Sequence, residues 1–286
     1  MLVIVLVHSI LRSISENLEN KSVSQITYYV QYLLIASLIM VNFADIIKMV
    51  KDTIQNMVGF VQLLVPLLIT LMIATGSIIS ANVIQPVILF MINVISNLFQ
   101  TTVIPIILVS TAIAVISKVS ERVQVDKVAK FMRSGSIWVI GVLLTIFVGV
   151  LSVEGTLSSS VDGITAKATK AAVSNFIPVV GKILGDAVDT VIGCSTILKN
   201  AVGIVGLVVI ISICALPILK LTIITITYHL AAAVCQPIAD GKIVKLLEEM
   251  GGTFKILLGI LCAISVMLII GITLVIKISN SGLMYR

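Results

Sequence analysis

Residues 83–117 read VIQPVILFMINVISNLFQTTVIPIILVSTAIAVIS, and this stretch decides the fold. It contains no Asp, Glu, Lys or Arg, and an uncharged apolar run of this length belongs in a bilayer rather than in a water-soluble core. As a helix it rises about 52 Å at ~1.5 Å per residue, against a hydrocarbon layer ~30 Å thick. One crossing does not use it all, so a turn is expected inside it. The polar run Ser96, Asn97, Gln100, Thr101 and Thr102, followed by Pro105, marks the place and implies two short, tilted or re-entrant segments.

Toward the N-terminus, a second apolar block covers 57–80, with Pro66 expected to kink it and Gly76 near its end. Asp45, Lys48, Lys51 and Asp52 separate it from an earlier span, 28–47, which opens on Tyr28, Tyr29 and Tyr32 like an interfacial aromatic belt. Residues 13–25 are polar. Residues 1–12, MLVIVLVHSILR, are too short to cross and lack the basic start of a secretory signal. They read either as an interfacial helix or as the tail of a span whose beginning lies outside the sequence, the second being the expectation.

Toward the C-terminus, residues 118–134 form a basic connector, with Val119, Val123, Val128, Phe131 and Met132 at helical spacing. The positive-inside rule makes it the best cytoplasmic marker in the chain. Residues 137–153 then cross outward, carrying Gly141, Thr145 and Gly149 as a stripe of small residues suited to close helix packing. The segment 154–200 is expected as a polar loop on the far side. Within it Lys182, Asp186 and Asp189 share one helical face. A second long block, 201–235, contains Pro217. A second amphipathic connector, 239–255, sets Ile243, Leu246, Leu247 and Met250 against Lys242, Lys245, Glu248 and Glu249, and a final span occupies 256–278.

The whole composition agrees: 59% of the 286 residues are hydrophobic and 11% charged, where soluble domains run near 45–50% and about 25%. The expected fold is therefore an all-α polytopic membrane protein of about six to eight transmembrane or re-entrant helices. Residues 26–286 form one membrane domain after the segment 1–25. The order of Pro-containing helix, long apolar block, charged connector and single span occurs in 57–153 and again in 176–278, which reads as an internal repeat. Repeat-built transporters place their sites where helices are broken, which singles out Pro66, Gly76, Pro178 and Gly193. Asn93, Asn97 and Gln100 recur at i, i+4 and i+7 and suit either interhelical hydrogen bonding or a hydrated wall.

Catalysis is not signalled. The one Gly-Lys pair, Gly181 and Lys182, is followed by Ile183, so no phosphate-binding loop is present, and neither HExxH nor G-x-S-x-G occurs. Cys194, Cys214, Cys235 and Cys262 lack metal-ligand spacing, and His8 and His229 stand alone. No cofactor or metal is expected. The net charge of +6 sits mainly in connectors and marks topology and a lipid bilayer, and the sparse aromatics exclude a nucleic-acid stacking platform.

Several stretches carry a resemblance: KSVSQITYYVQYLL from Lys21, NMVGFVQLLVPLLITLMIATG from Asn56, QPVILFMINVISNLFQ from Gln85, ISKVSERVQVDKVAKFMR from Ile116, KAAVSNFIPVVGKILGDAVDTVIG from Lys170, LKNAVGIVGL from Leu198 and YHLAAAVCQPIADGKI from Tyr228. With these the chain resembles the stage III sporulation protein AE family of endospore-forming bacteria. The resemblance implies a non-catalytic, multi-pass component of the mother-cell membrane around the forespore, in a channel-like complex joining the two cells during engulfment. The implied partners are the other stage III A-operon proteins, among them a secretion-type ATPase, and a forespore membrane protein. The family has no established catalytic residues. On the residues alone, the competing reading is a stand-alone secondary transporter coupling through Lys182, Asp186 or Asp189.

Overall fold

The computed structural model describes residues 21–119, 125–176, 180–237, 239 and 241–284. For 21–28, 31, 118, 119, 126, 155–176, 180–189 and 278–284 it describes the backbone alone. The described residues form α1 (Lys21–Ala74), α2 (Ile78–Leu98), a π-helical turn (Phe99–Val103), α3 (Ile104–Val119), α4 (Asp126–Phe176), α5 (Val180–Cys235) and α6 (Gly241–Met284), with no strand among them. The chain is a helical membrane protein. Five stretches are long and apolar enough to cross a bilayer: Tyr32–Ala74, Ile78–Ser117, Lys127–Glu154, Thr190–Cys235 and Gly241–Lys277. All five are longer than the ~20 residues one crossing needs.

Three sequence expectations are corrected. The turn anticipated inside 83–117 is not made. The π-helical turn stands there instead, and the Ile104 N–H bonds the Phe99 carbonyl. Pro105 offers no N–H and its ring crowds the carbonyl one turn back. The wider i→i+5 turn accommodates this without ending the helix. Nor does the charged patch after residue 44 separate two helices. Asp45, Lys48 and Asp52 are exposed while Ile46, Ile47, Val50 and Ile54 are buried, so the charges ride on the outer face of an unbroken α1. The supposed polar loop 154–200 is largely helical, shared by α4 and α5.

Where the chain does turn, the chemistry is explicit. At the end of α1 the Ser77 N–H bonds the Met72 carbonyl (3.1 Å) and the Gly76 N–H bonds the Ile73 carbonyl (3.0 Å). This is the Schellman arrangement, and it requires a left-handed residue. Gly76 supplies it with φ 84°.

The chain divides into two compact units. The first comprises Met1–Thr53, Leu98–Ile140 and Leu216–Cys262. In it α1 buries Tyr32, Ile35, Ile39, Phe43, Ile46 and Val50, a 3–4 spacing that places one face against its neighbours. The Tyr32 hydroxyl donates to the Val115 carbonyl of α3 (3.2 Å). Phe254 of α6 meets Phe43 of α1 edge-on (5.9 Å) and Tyr228 of α5 at a tilt (4.9 Å).

The second unit comprises Ile54–Asn97, Gly141–Ala215 and Ala263–Arg286. No charged residue occurs in 54–97. Close helix approach decides its packing. A Cβ added at Gly203 of α5 would stand 2.3 Å from Cδ1 of Ile276 on α6, and one at Gly206 would stand 2.3 Å from Cδ2 of Leu64 on α1. Gly203→Leu is therefore expected to destabilise the micelle-solubilised protein by about 2 kcal/mol through overpacking. Ile276→Ala on the same background should recover at least half, and denaturant unfolding of the two variants checks it.

Candidate functional site

Charge is unevenly distributed, and that directs attention to the first unit. In its α4 segment Val128 is 50% and Phe131 79% exposed, whereas Arg133 is 9% exposed. Ala129 and Ser136 are buried beside it in sequence. The apolar side of this connector thus faces outward, as in an interfacial helix, and Arg133 faces inward. That is the arrangement of a helix end at lipid depth, where the surroundings are apolar and the protein interior holds the charge. The second connector behaves as its periodicity predicts: Ile243, Leu246, Leu247 and Met250 of α6 are all buried, and Lys245 and Glu248 point outward.

From α6, Glu249 reaches Arg133 of α4, its Oε2 accepting from Nη1. One turn on, the Thr253 hydroxyl donates to the Glu249 carbonyl (2.9 Å) and lies 3.3 Å from the hydroxyl of Thr111 on α3. The imidazole of His229 on α5 lies about 3.1 Å from where a Cβ would stand at Gly251, so a side chain there would have to push the imidazole aside by a few tenths of an ångström. A buried ion pair and a hydroxyl bridge thus tie α3, α4 and α6 into one polar centre. Sequence reasoning missed it, because Arg133 and Glu249 each looked like one charge on a solvated face.

In the second unit, Gln62 of α1 donates from Nε2 to Oδ1 of Asn93 on α2 (2.6 Å), and Asn93 Nδ2 returns to its own helix at the Leu89 carbonyl (2.8 Å). Both side chains are exposed, as are Gln55 and Asn82. The hairpin that Gly76 closes therefore presents uncharged amides outward.

The other predicted positions are distributed as follows. Pro66 lies inside α1 without interrupting it, and its carbonyl accepts the Thr70 hydroxyl (3.0 Å). Asn97 is exposed on α2 and Gln100 half-buried in the π-helical turn. Gly193 is exposed within α5, with open space around it. Pro178 lies outside the described residues, as do the side chains of Lys182, Asp186 and Asp189. Among the described residues, no group of three or more His, Cys, Asp or Glu could hold a metal. Lys199, which sequence reasoning passed over, is fully buried on α5 with Nζ 3.4 Å from the Ile276 carbonyl.

These features define a polytopic helical membrane protein, with a buried ion pair near the starts of α4 and α6, a buried lysine within α5 and an outward amide face on an uncharged hairpin. The family model for stage III sporulation protein AE matches residues 1–279. The chain is 34% identical over 277 residues to "Stage III sporulation protein AE" of Bacillus subtilis strain 168, covering 97% of this chain and 69% of that protein. The chain belongs to this family, and its role lies in sporulation. No solved structure matches it.

Proposed function

We propose that the chain is a non-catalytic membrane subunit of a channel or secretion-like complex between mother cell and forespore, seated in the mother-cell membrane around the forespore. Its partners on this reading are the other stage III A-operon proteins, including a secretion-type ATPase, and a forespore membrane protein. The observation that carries the reading is the outward amide face of Gln55, Gln62, Asn82 and Asn93. An amide facing hydrocarbon forfeits hydrogen bonds that water or a protein partner restores. A lone transporter has its polar groups turned inward; a subunit that shares a polar surface with others has them turned outward. On this reading, any nucleotide consumed in transport is hydrolysed by another subunit, in keeping with a sequence that carries no phosphate-binding loop.

The test replaces both amides, Gln62→Leu with Asn93→Leu, in a sporulating strain whose native copy is deleted. The variant should reach the membrane at normal level, since Leu is at least as compatible with lipid, yet forespore development should arrest after engulfment. Normal spore yield from this variant, or from the deletion strain itself, overturns the proposal.

A further inference from the structure

The polar centre of the first unit is not complete. Arg133 uses Nη1 on Glu249, while its Nε and Nη2 are buried and have no hydrogen-bond partner. Those two nitrogens form one edge of the guanidinium, where two N–H groups point the same way and match two oxygens of an oxyanion. Leaving a charged donor pair buried and unmatched is costly, and the chain provides no acceptor for it among the described residues.

The surroundings identify the acceptor. Lys127 and Lys130, on the two turns before Arg133, are exposed, as is Lys245 one turn before Glu249. Phe131 and Trp138, two residues before and five after Arg133 in sequence and on the outward side of α4, are 79% and 71% exposed. Exposed Trp next to an apolar span marks headgroup depth, and basic sites between helices at that depth take anionic headgroups. A carboxylate already occupies one side of the guanidinium, so the open edge faces a second, separate anion.

We propose that the Nε/Nη2 edge of Arg133 binds a phosphate group, held between α4 and α6 with the lysines drawing it in. Neither nitrogen is open to solvent, so the phosphate enters as the side chains over the edge turn aside and is enclosed once bound. A phospholipid headgroup and free phosphate both carry this chemistry, and the experiment separates them.

The full chain, delipidated in dodecyl maltoside, is titrated with phosphatidylglycerol, with oleate as a carboxylate-headed control, and with sodium phosphate, following binding by native mass spectrometry and by the unfolding midpoint. Phosphatidylglycerol should bind and raise the midpoint, and oleate should do so at least about tenfold more weakly. Arg133→Lys, which keeps the charge and loses the two-donor edge, should weaken binding about tenfold. If sodium phosphate alone reproduces the shift, the site stands and its source is free phosphate. Glu249→Gln leaves the edge intact and removes a competing negative charge, so it should bind more tightly. This variant keeps the test decisive should Arg133→Lys fail to fold. Equal binding of oleate, unchanged affinity in Arg133→Lys, weaker binding in Glu249→Gln, or no binding of either phosphate probe to the native chain overturns the proposal.

Discussion

Glu249→Leu lowers the stability of the micelle-solubilised protein by about 3 kcal/mol, and adding Arg133→Met to it returns most of that loss. The asymmetry follows from desolvation. With Glu249 gone, the Arg133 guanidinium stays buried at 9% exposure with none of its charge matched, and an uncompensated buried ion costs about 3–5 kcal/mol. The Glu249 side chain keeps 22% exposure, so water can enter where the carboxylate was, which puts the expected loss at the lower end. Replacing both partners by apolar side chains removes the desolvation cost along with the attraction, so the double variant should fall within about 1 kcal/mol of the native chain. Chemical unfolding in phosphate-free dodecyl maltoside is the measurement. Single substitutions that both stay within about 0.5 kcal/mol, as isolated surface charges do, would show that the pair holds nothing together.

The same pair shows where the sequence stops being legible. Helices, their apolar character and the placement of basic connectors are local properties, and periodicity reports them: Ile243, Leu246, Leu247 and Met250 fall on one face and are buried together. What periodicity does not report is which face of a membrane helix is inside. In water the apolar side packs inward; at lipid depth the surroundings are apolar too, so α4 turns Phe131 outward and Arg133 inward. A pairing between residues 133 and 249 is a tertiary fact with no local trace beyond complementary charge in two similar connectors. The Gln62–Asn93 bond is likewise half legible: Asn93 stood out as polar in an apolar block, while Gln62 did not.

Helix continuity was the other blind spot. Pro66, Pro86 and Pro217 lie inside α1, α2 and α5 without ending them. Proline breaks are tolerated in membrane helices because neighbouring groups satisfy the freed carbonyls. A polar run with a following proline therefore produced a π-helical turn at Phe99–Val103 where the length of the apolar stretch against the bilayer had led to the expectation of a turn. Gly76 ends its helix because its positive φ belongs to a cap, a signal that Gly carries far more specifically than Pro does in lipid.

Phe254→Ala should cost about 3 kcal/mol, comparable to losing the ion pair but for a different reason. Phe254 is fully buried, with Phe43 of α1 on one side and Tyr228 of α5 on the other, so one side chain of α6 joins three helices. Lipid tails are as apolar as a core, and transferring Phe from lipid to protein gains little; packing has to supply the association energy in a membrane. Truncation leaves a cavity between rings that stay in place, and the lost contacts, rather than exposure to water, account for the cost. Phe254→Leu fills most of that volume and should lose about 1 kcal/mol. Phe43→Ala should be milder than Phe254→Ala, because Phe43 meets one ring of the trio where Phe254 meets two. The coupling between Phe43 and Phe254 in a double-mutant cycle should be about 1 kcal/mol, the range for an edge-to-face pair. Unfolding midpoints of the four proteins in the same micelles give that coupling directly. A value near zero would mean that α1 and α6 are held by the aliphatic contacts around Phe254 and not by the rings.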